Sequence, residues 1–175
     1  MKSRKPAKNP GTNVPFSVEE IEAVIVRLLA KRKQTLALAE SCTGGCIAHR
    51  LTNVPGASAV FPGGMVAYSN AAKVKFLGVR AETLAAHGAV SEAVAREMAE
   101  GARKKFGADF ALAVTGIAGP TGGTKAKPVG TVFIALAGAP RTVVERKLNS
   151  YARKQFKNMT AQQALEMLKA RLAGY

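Results

Sequence analysis

Residues 35–53 read TLALAESCTGGCIAHRLTN, and this stretch decides the fold class. The short run Thr35–Ala39 is almost entirely apolar, which predicts a buried strand. It leads into the small, Gly-rich segment ESCTGG, after which a helix is predicted over about residues 43–53. A buried strand that passes through a tight turn into a helix indicates a sheet that is covered by helices.

Helices and strands are intermixed on both sides of this unit. Ser17 followed by Glu20 is a capping box, which predicts a helix over residues 17–33. Further strands are predicted over residues 61–68, 109–114, 129–137 and 142–148, and further helices over 70–76, 91–106 and 152–172. Because the GAPR connection before the last strand is too short for a parallel crossover, the sheet is mixed. The predicted fold class is α/β, a single-domain α/β/α sandwich with a mixed sheet.

The positive charge is concentrated at the two ends of the chain. The protein has 175 residues, which favours one domain, and a net charge of +15. The first fifteen residues, MKSRKPAKNPGTNVP, carry four positive charges and no acid, so residues 1–15 are predicted to be a flexible basic tail and residues 16–175 the folded domain. An excess of positive charge attracts anions, either a polynucleotide or a small phosphate. Aromatic residues make up only 6% and there is no Trp, so no specific nucleic-acid partner is expected.

The composition leaves few candidates for metal binding. The chain has one Asp, Asp109, two scattered histidines, His49 and His87, and two cysteines, Cys42 and Cys46. These residues do not supply a plausible set of metal ligands, and we expect neither a metal nor another cofactor. Two free thiols suit a reducing compartment. Since no signal segment and no run of about 18 apolar residues is present, we expect a cytoplasmic protein without a membrane partner.

Two segments carry residues suited to nucleophilic catalysis. Ser41 lies at the turn between a buried strand and a helix, the position that presents a nucleophile in some hydrolases. Lys73 is predicted one turn into a helix that begins near Asn70, where the helix dipole and burial would lower its pKa. A lysine of lowered pKa can act as the general base for a serine, and Tyr68 could relay or orient the proton. Taken singly, Ser41 could equally be a helix cap and Lys73 a solvated lysine.

A third segment follows another predicted buried strand. Residues 114–123 read VTGIAGPTGG, with four glycines in the last eight residues. A loop of this kind exposes backbone N–H groups that can bind a phosphate or stabilise an oxyanion. It lacks the Gly-Lys-Ser/Thr ending of a P-loop, and therefore does not indicate ATP binding. A flexible surface loop is the alternative interpretation.

Four segments together resemble the C-terminal domain family of CinA proteins, whose members are nicotinamide-nucleotide amidases. They are AESCTGG, GG-x-VAYSN-x-x-K, L-x-x-HGAVSE-x-VAREMAEGA and VTGIAGP-x-GGT-x-x-KPVGTV, and the likeness covers roughly residues 17–172. The resemblance implies hydrolysis of the carboxamide of nicotinamide mononucleotide to nicotinate mononucleotide and ammonia, in pyridine nucleotide salvage. It further implies a Ser/Lys amidohydrolase without a metal or cofactor, and a homo-oligomer.

The resemblance also assigns roles to individual residues. It makes Ser41 the nucleophile and Lys73 the general base, with Tyr68 assisting. The residues that it implies for substrate binding, through backbone or side chain, are Thr43, Gly44, Gly45, Thr115 and Gly116. Glu40, the only acid beside the motif, could balance the charge of the pyridinium or fix Lys73.

The C-terminal segment departs from the family pattern. Members commonly carry F-x-GDR-x-x-IR, which supplies an arginine for the substrate, whereas this chain has LNSYARKQFK. Arg153 aligns with the first arginine, and Lys157 replaces the second. The departure motivates an alternative hypothesis, a catalytically weak nucleotide-phosphate-binding or regulatory module of the same fold. A basic nucleic-acid-binding protein is a third, which predicts salt-sensitive binding that does not depend on Ser41.

Overall fold

A single mixed sheet forms the centre of the molecule. The computed structural model describes residues 19–174. Its five strands are β1 (Leu36–Glu40), β2 (Gly63–Val66), β3 (Phe110–Gly116), β4 (Thr131–Ala137) and β5 (Val143–Leu148). They lie in the order β2-β1-β3-β4-β5. β1 is parallel to β2 and β3, whereas β4 is antiparallel to β3 and β5. The predicted mixed sheet and its terminal hairpin are confirmed.

Within residues 19–174, six α-helices cover the two faces of the sheet. They are α1 (Ile21–Arg32), α2 (Cys46–Thr52), α3 (Asn70–Leu77), α4 (Ala81–His87), α5 (Glu92–Phe106) and α6 (Arg153–Ala173). α1, α2 and α6 pack on one face, and α3, α4 and α5 lie on the other. This arrangement confirms the predicted α/β/α sandwich. None of the helices in residues 19–174 is long and apolar enough to cross a membrane.

The two faces of the sheet differ in side-chain size. Because successive residues of a strand point to opposite faces, β1 directs Leu36 and Leu38 toward α1, α2 and α6, and Ala37 and Ala39 toward α5. β3 and β4 continue this division, with mainly alanines beneath α5. Small side chains on this face let α5 lie close to the sheet.

Several boundaries differ from the predictions. α1 begins at Ile21 with Glu20 at its N-cap, not at residue 17; Ser17 and the predicted basic tail lie outside the described residues. α2 begins at Cys46 because Gly44 and Gly45 adopt φ values of +60° and +95°, which end any helical path before them. α4 was not predicted, since its seven residues include only one buried side chain and show no clear apolar period.

Gly101 allows α5 to approach the end of α3. A Cβ atom at residue 101 would lie 1.7 Å from the carbonyl oxygen of Leu77, the last residue of α3. No side chain larger than hydrogen fits this contact without moving one helix. Gly101 therefore sets the position of α3, the helix that carries Lys73.

We expect Gly101→Ala to destabilise the protein although alanine is the better helix former. Overpacking costs about 1–3 kcal/mol, which exceeds the gain of about 1 kcal/mol from helix propensity. Urea unfolding followed by circular dichroism measures the difference. Lys105→Ala, at an exposed position on the same helix, is the control and should change the free energy of unfolding little. An alanine variant at residue 101 as stable as the wild type would contradict the close packing.

Candidate active site

Ser41 lies directly after β1, at the edge where β3 also ends. The two parallel strands bring the turn 41–45 beside the loop that follows β3. The backbone N–H of Ser41 donates to the carbonyl oxygen of Val114 at 3.1 Å, which ties the turn to β3. The Ser41 side chain is largely buried. The sheet therefore holds this serine at a fixed place.

Lys73 reaches Ser41 from the other side of the turn. The side chain of Ser69 caps α3 by accepting from the N–H of Ala72 at 3.1 Å, and Lys73 follows in the first turn. Its Nζ lies 2.9 Å from Ser41 Oγ and donates to the carbonyl oxygen of Ala67 at 2.8 Å. Lys73 is only 2% exposed, and burial lowers the pKa of its amine.

These contacts fit a neutral amine. A neutral lysine has two N–H bonds and one lone pair, so Lys73 can donate to Ala67 and still accept the hydroxyl proton of Ser41. Among residues 19–174, no carboxylate forms an ion pair with Lys73 that would favour its charged form. The pair can therefore activate a serine for attack on a carbonyl carbon.

A cavity of about 220 Å³ opens onto this pair. It is lined by Ser41, Cys42, Tyr68, Asn70, Lys73, Ala89, Val90, Thr115, Gly116, Ala118 and Arg153. Thr115 also donates through Oγ1 to the carbonyl oxygen of Ala89 at 2.8 Å, so the segment before α5 is fixed against β3. A larger cavity of about 640 Å³ lies between α1 and the end of α6 and contains none of the predicted catalytic residues.

Glu40 has a different place from the one expected. Its carboxylate is buried and accepts hydrogen bonds from the N–H groups of Gly45 (2.9 Å), Ile47 (3.2 Å) and Ala48 (2.8 Å). It caps the N-terminus of α2, and neither Lys73 nor the cavity contacts it. The expectation that Glu40 faces the substrate or fixes Lys73 is therefore not met.

The cap also changes which backbone donors are free. The N–H of Gly45 binds Glu40, and that of Gly44 binds the carbonyl oxygen of Ser41 at 3.1 Å, so neither matches the expected role as a donor to the substrate. Within residues 19–174, no oxygen accepts a hydrogen bond from the N–H of Cys42 or Thr43. The N–H of the residue after a nucleophile is a common oxyanion donor, and Cys42 holds this position.

Arg153 and Tyr68 meet at the mouth of the cavity. Arg153, the first residue of α6, donates to the carbonyl oxygen of Gly119 at 2.9 Å and to the hydroxyl of Tyr68. Tyr68 is 59% exposed, and its hydroxyl lies on Arg153, not on Lys73. This placement does not fit the expected proton relay through Tyr68.

Lys157 lies one helical turn beyond Arg153. Its ammonium is 3.5 Å from the point that a Cβ atom of Gly44 would occupy, so it stands over the turn that holds Ser41. In the part of the chain that the structure describes, no carboxylate lies within ion-pair distance of Lys157 or Arg153. Two cations without acidic partners thus flank the site.

Cys42 is not a competing nucleophile. Burial, with a smaller contribution from the nearby Glu40 carboxylate, raises the pKa of its thiol to about 12. The thiol is therefore protonated at neutral pH, and a protonated thiol is a poor nucleophile. His49 and His87 are exposed and do not line the cavity.

Five lining residues were missed by sequence reasoning: Cys42, Asn70, Ala89, Val90 and Ala118. All five lie within the segments that carry the family resemblance, and that membership was the available signal. No three His, Cys, Asp or Glu side chains in residues 19–174 come close enough together to hold a metal ion.

The comparisons with known proteins show the family. A family model described as the CinA C-terminal domain matches residues 18–172. A CinA-like protein of Anaeromyxobacter sp. (strain Fw109-5) is 54% identical over 154 residues, 88% of this chain and 38% of the relative. A putative competence-damage inducible protein of Thermoanaerobacter pseudethanolicus is 49% identical over 156 residues, 89% of this chain and 38% of the relative. The chain thus spans about two fifths of the length of these relatives.

Solved structures give the same assignment. The competence/damage inducible protein CihA of Agrobacterium tumefaciens is 41% identical with a TM-score of 0.84, covering 91% of this chain and 98% of that one. A CinA superfamily protein of Klebsiella pneumoniae 700603 is 37% identical with a TM-score of 0.85, covering 89% and 97%. The chain belongs to the CinA C-terminal domain family.

We expect the buried Lys73 to lower the free energy of unfolding at neutral pH. Burial lowers its pKa in the folded chain below the ordinary value of 10.5, so the unfolded chain binds the proton more tightly. The penalty is present in full below the lowered pKa and disappears as the pH rises through the unfolded value. The free energy of unfolding of Lys73→Met should therefore exceed that of the wild type most near neutral pH. This difference should shrink as the pH approaches 10.5. Urea titrations across this range give the trend.

The control for this trend is Lys75→Met on the same helix. Lys75 is exposed and keeps its hydration on folding, so the variant should not show a pH-dependent gain. If the two free energies of unfolding, of Lys73→Met and of the wild type, differ by an amount that does not change with pH, Lys73 is charged in the folded protein.

Proposed function

We propose that this chain is a Ser/Lys amidohydrolase that converts nicotinamide mononucleotide to nicotinate mononucleotide and ammonia, in pyridine nucleotide salvage. The observation that carries the proposal is the buried contact of 2.9 Å between Lys73 Nζ and Ser41 Oγ, at the floor of the cavity. The family resemblance supplies the substrate. The homo-oligomer that it implies remains a prediction.

The reaction follows from the two side chains. Ser41 Oγ attacks the carboxamide carbon while its proton passes to the neutral amine of Lys73. The resulting oxyanion accepts a hydrogen bond from the backbone, for which the N–H of Cys42, a lining residue that follows the nucleophile, is the candidate. Losing one such donor typically costs about 10²–10³-fold in rate. The Lys73 ammonium then protonates the leaving nitrogen, which departs as ammonia and leaves an ester on Ser41.

Water completes the cycle. Neutral again, Lys73 removes a proton from a water molecule that attacks the ester carbon. The second tetrahedral intermediate releases Ser41, which takes its proton back from Lys73, and nicotinate mononucleotide leaves. One water is consumed and one ammonia is released in each turnover.

The charges around the cavity suit a substrate with a phosphate and a pyridinium ring. Arg153 and Lys157 are candidates to bind the phosphate, since no acid neutralises them in the described residues. Among residues 19–174 no carboxylate lines the cavity, so these residues offer the pyridinium no acidic partner there. Tyr68 is the aromatic side chain that the described residues supply to the lining, and the face of its ring could bind the pyridinium cation.

The alternative is a nucleotide-phosphate-binding module with weak catalysis. The departure at residues 148–157, where Lys157 stands in the place of an arginine, favours it, because a lysine makes no bidentate contact with phosphate. Release of ammonia from nicotinamide mononucleotide separates the two functions in one assay.

We expect Ser41→Ala to abolish ammonia release without unfolding the protein, because the side chain supplies the attacking oxygen. A coupled ammonia assay and circular dichroism test both statements. The control is Ser58→Ala, an exposed serine outside the cavity, which should keep wild-type activity. A Ser41→Ala variant that retained about a tenth of the wild-type rate would lie far above the loss expected for a nucleophile, and the assignment of Ser41 would be wrong.

Lys73→Arg distinguishes a base from a fixed charge. Arginine keeps the positive charge but does not deprotonate in the working pH range, so the variant should be nearly as inactive as Lys73→Ala. In the wild type, kcat/KM should rise with pH along a limb set by the lowered pKa of Lys73. Near-normal activity of Lys73→Arg on an unchanged limb would assign Lys73 a purely electrostatic role.

A further inference from the structure

Glu40 closes the turn that carries Ser41. The residue ends β1, and its carboxylate, 1% exposed, bends over the turn to bind the N–H groups of Gly45, Ile47 and Ala48. No lysine, arginine or histidine of residues 19–174 forms an ion pair with it. Three backbone donors and the positive end of α2 compensate its burial instead.

The turn is therefore fixed at both ends. At its start, Ser41 N–H is bound to Val114 O at 3.1 Å; at its end, Gly45 N–H is bound to Glu40 at 2.9 Å. A third bond, from Gly44 N–H to Ser41 O, crosses the turn. Only Cys42 and Thr43 lie between these anchors, and their N–H groups are the ones without an oxygen acceptor in the described chain.

We propose that Glu40 is a positioning residue: its carboxylate holds the turn so that Ser41 Oγ stays on Lys73 and the backbone of Cys42 stays at the cavity. The inference rests on the proposed nucleophilic role of Ser41. On this proposal, the acid that precedes Ser41 is there to hold the turn and not to contact the substrate. It also closes the N-terminus of α2 to a phosphate, since the carboxylate already occupies it.

A carboxylate suits this role better than an amide. Glu40 offers acceptors on both oxygens, Oε1 to Ala48 and Oε2 to Gly45 and Ile47. In Glu40→Gln one of these positions becomes an NH₂ group, which cannot accept from a backbone N–H. The loop ending at Gly45 or the first turn of α2 must then move, and a shift of about 1 Å at a reacting group can cost about 100-fold in rate.

The test compares Glu40→Gln with Glu97→Gln. Glu97 is also an anchoring carboxylate, bound to the N–H of Arg80 at 2.9 Å and the hydroxyl of Thr83 at 2.8 Å, but it ties α4 to α5 and does not line the cavity. Three quantities are measured at a temperature where circular dichroism shows each variant folded. They are kcat, KM for nicotinamide mononucleotide, and the rate constant for modification of Ser41 by a fluorophosphonate.

We expect both variants to lower Tm, but only Glu40→Gln to slow the chemistry. Its kcat and its rate of phosphonylation should fall together by about 10-fold or more, with KM little changed, because the nucleophile and not the binding surface is displaced. A folded Glu40→Gln variant that is phosphonylated at the wild-type rate would overturn the proposal.

The remaining outcomes are also decisive. If Glu40→Gln does not fold, Glu40→Asp is used instead. Aspartate keeps the negative charge at the N-terminus of α2 but is too short to accept all three hydrogen bonds. Its kcat and its rate of phosphonylation should therefore fall together. If neither Glu40→Gln nor Glu40→Asp folds, Glu40 is purely structural and the positioning role is refuted. A wild type that is phosphonylated but releases no ammonia would refute the proposed substrate alone, whereas a wild type whose Ser41 does not react would refute both.

Discussion

The site depends on one buried contact, that of an amine with a hydroxyl at 2.9 Å. Lys73 is withdrawn from water without a carboxylate partner in the described chain, so its environment favours the neutral form that can act as a base. The surrounding architecture serves to keep this contact. β1 holds Ser41 on one side, and α3, placed by the close approach of α5 at Gly101, holds Lys73 on the other.

Local patterns in the sequence were sufficient for the fold. The strands β1 and β3 contain the continuous apolar runs 36–39 and 110–114. The short connection before β5 indicated the hairpin and therefore the mixed sheet. The elements that were missed or misplaced have weak local signals. α4 buries a single side chain, and the start of α2 depends on two glycines whose left-handed backbone is not visible in a pattern of apolar residues.

The sequence predicted the pair of residues at the centre of the site, but not the partners of the longer side chains around it. The resemblance placed Ser41 and Lys73 in one pocket, and the structure brings them together. It could not give the partners of Glu40 or Tyr68, because these depend on where a long side chain ends. Glu40 bends forward to the amides of α2, and Tyr68 extends outward to Arg153, which is 85 residues away in sequence. The partner of Tyr68 is set by packing between distant segments, and that of Glu40 by the path of the backbone through the turn.

The alanine-lined face of the sheet sets the limits within which the pocket could be reshaped. Beneath α5, Ala37, Ala39, Ala111 and Ala113 are fully buried, and we expect a larger side chain there to displace α5, which also contacts α3. The opposite face is built from leucines, valines and isoleucines, which can exchange shape among themselves at nearly constant volume. The cavity is therefore open to change mainly at its rim, as at Asn70, whose side chain is exposed and needs no new space inside the core.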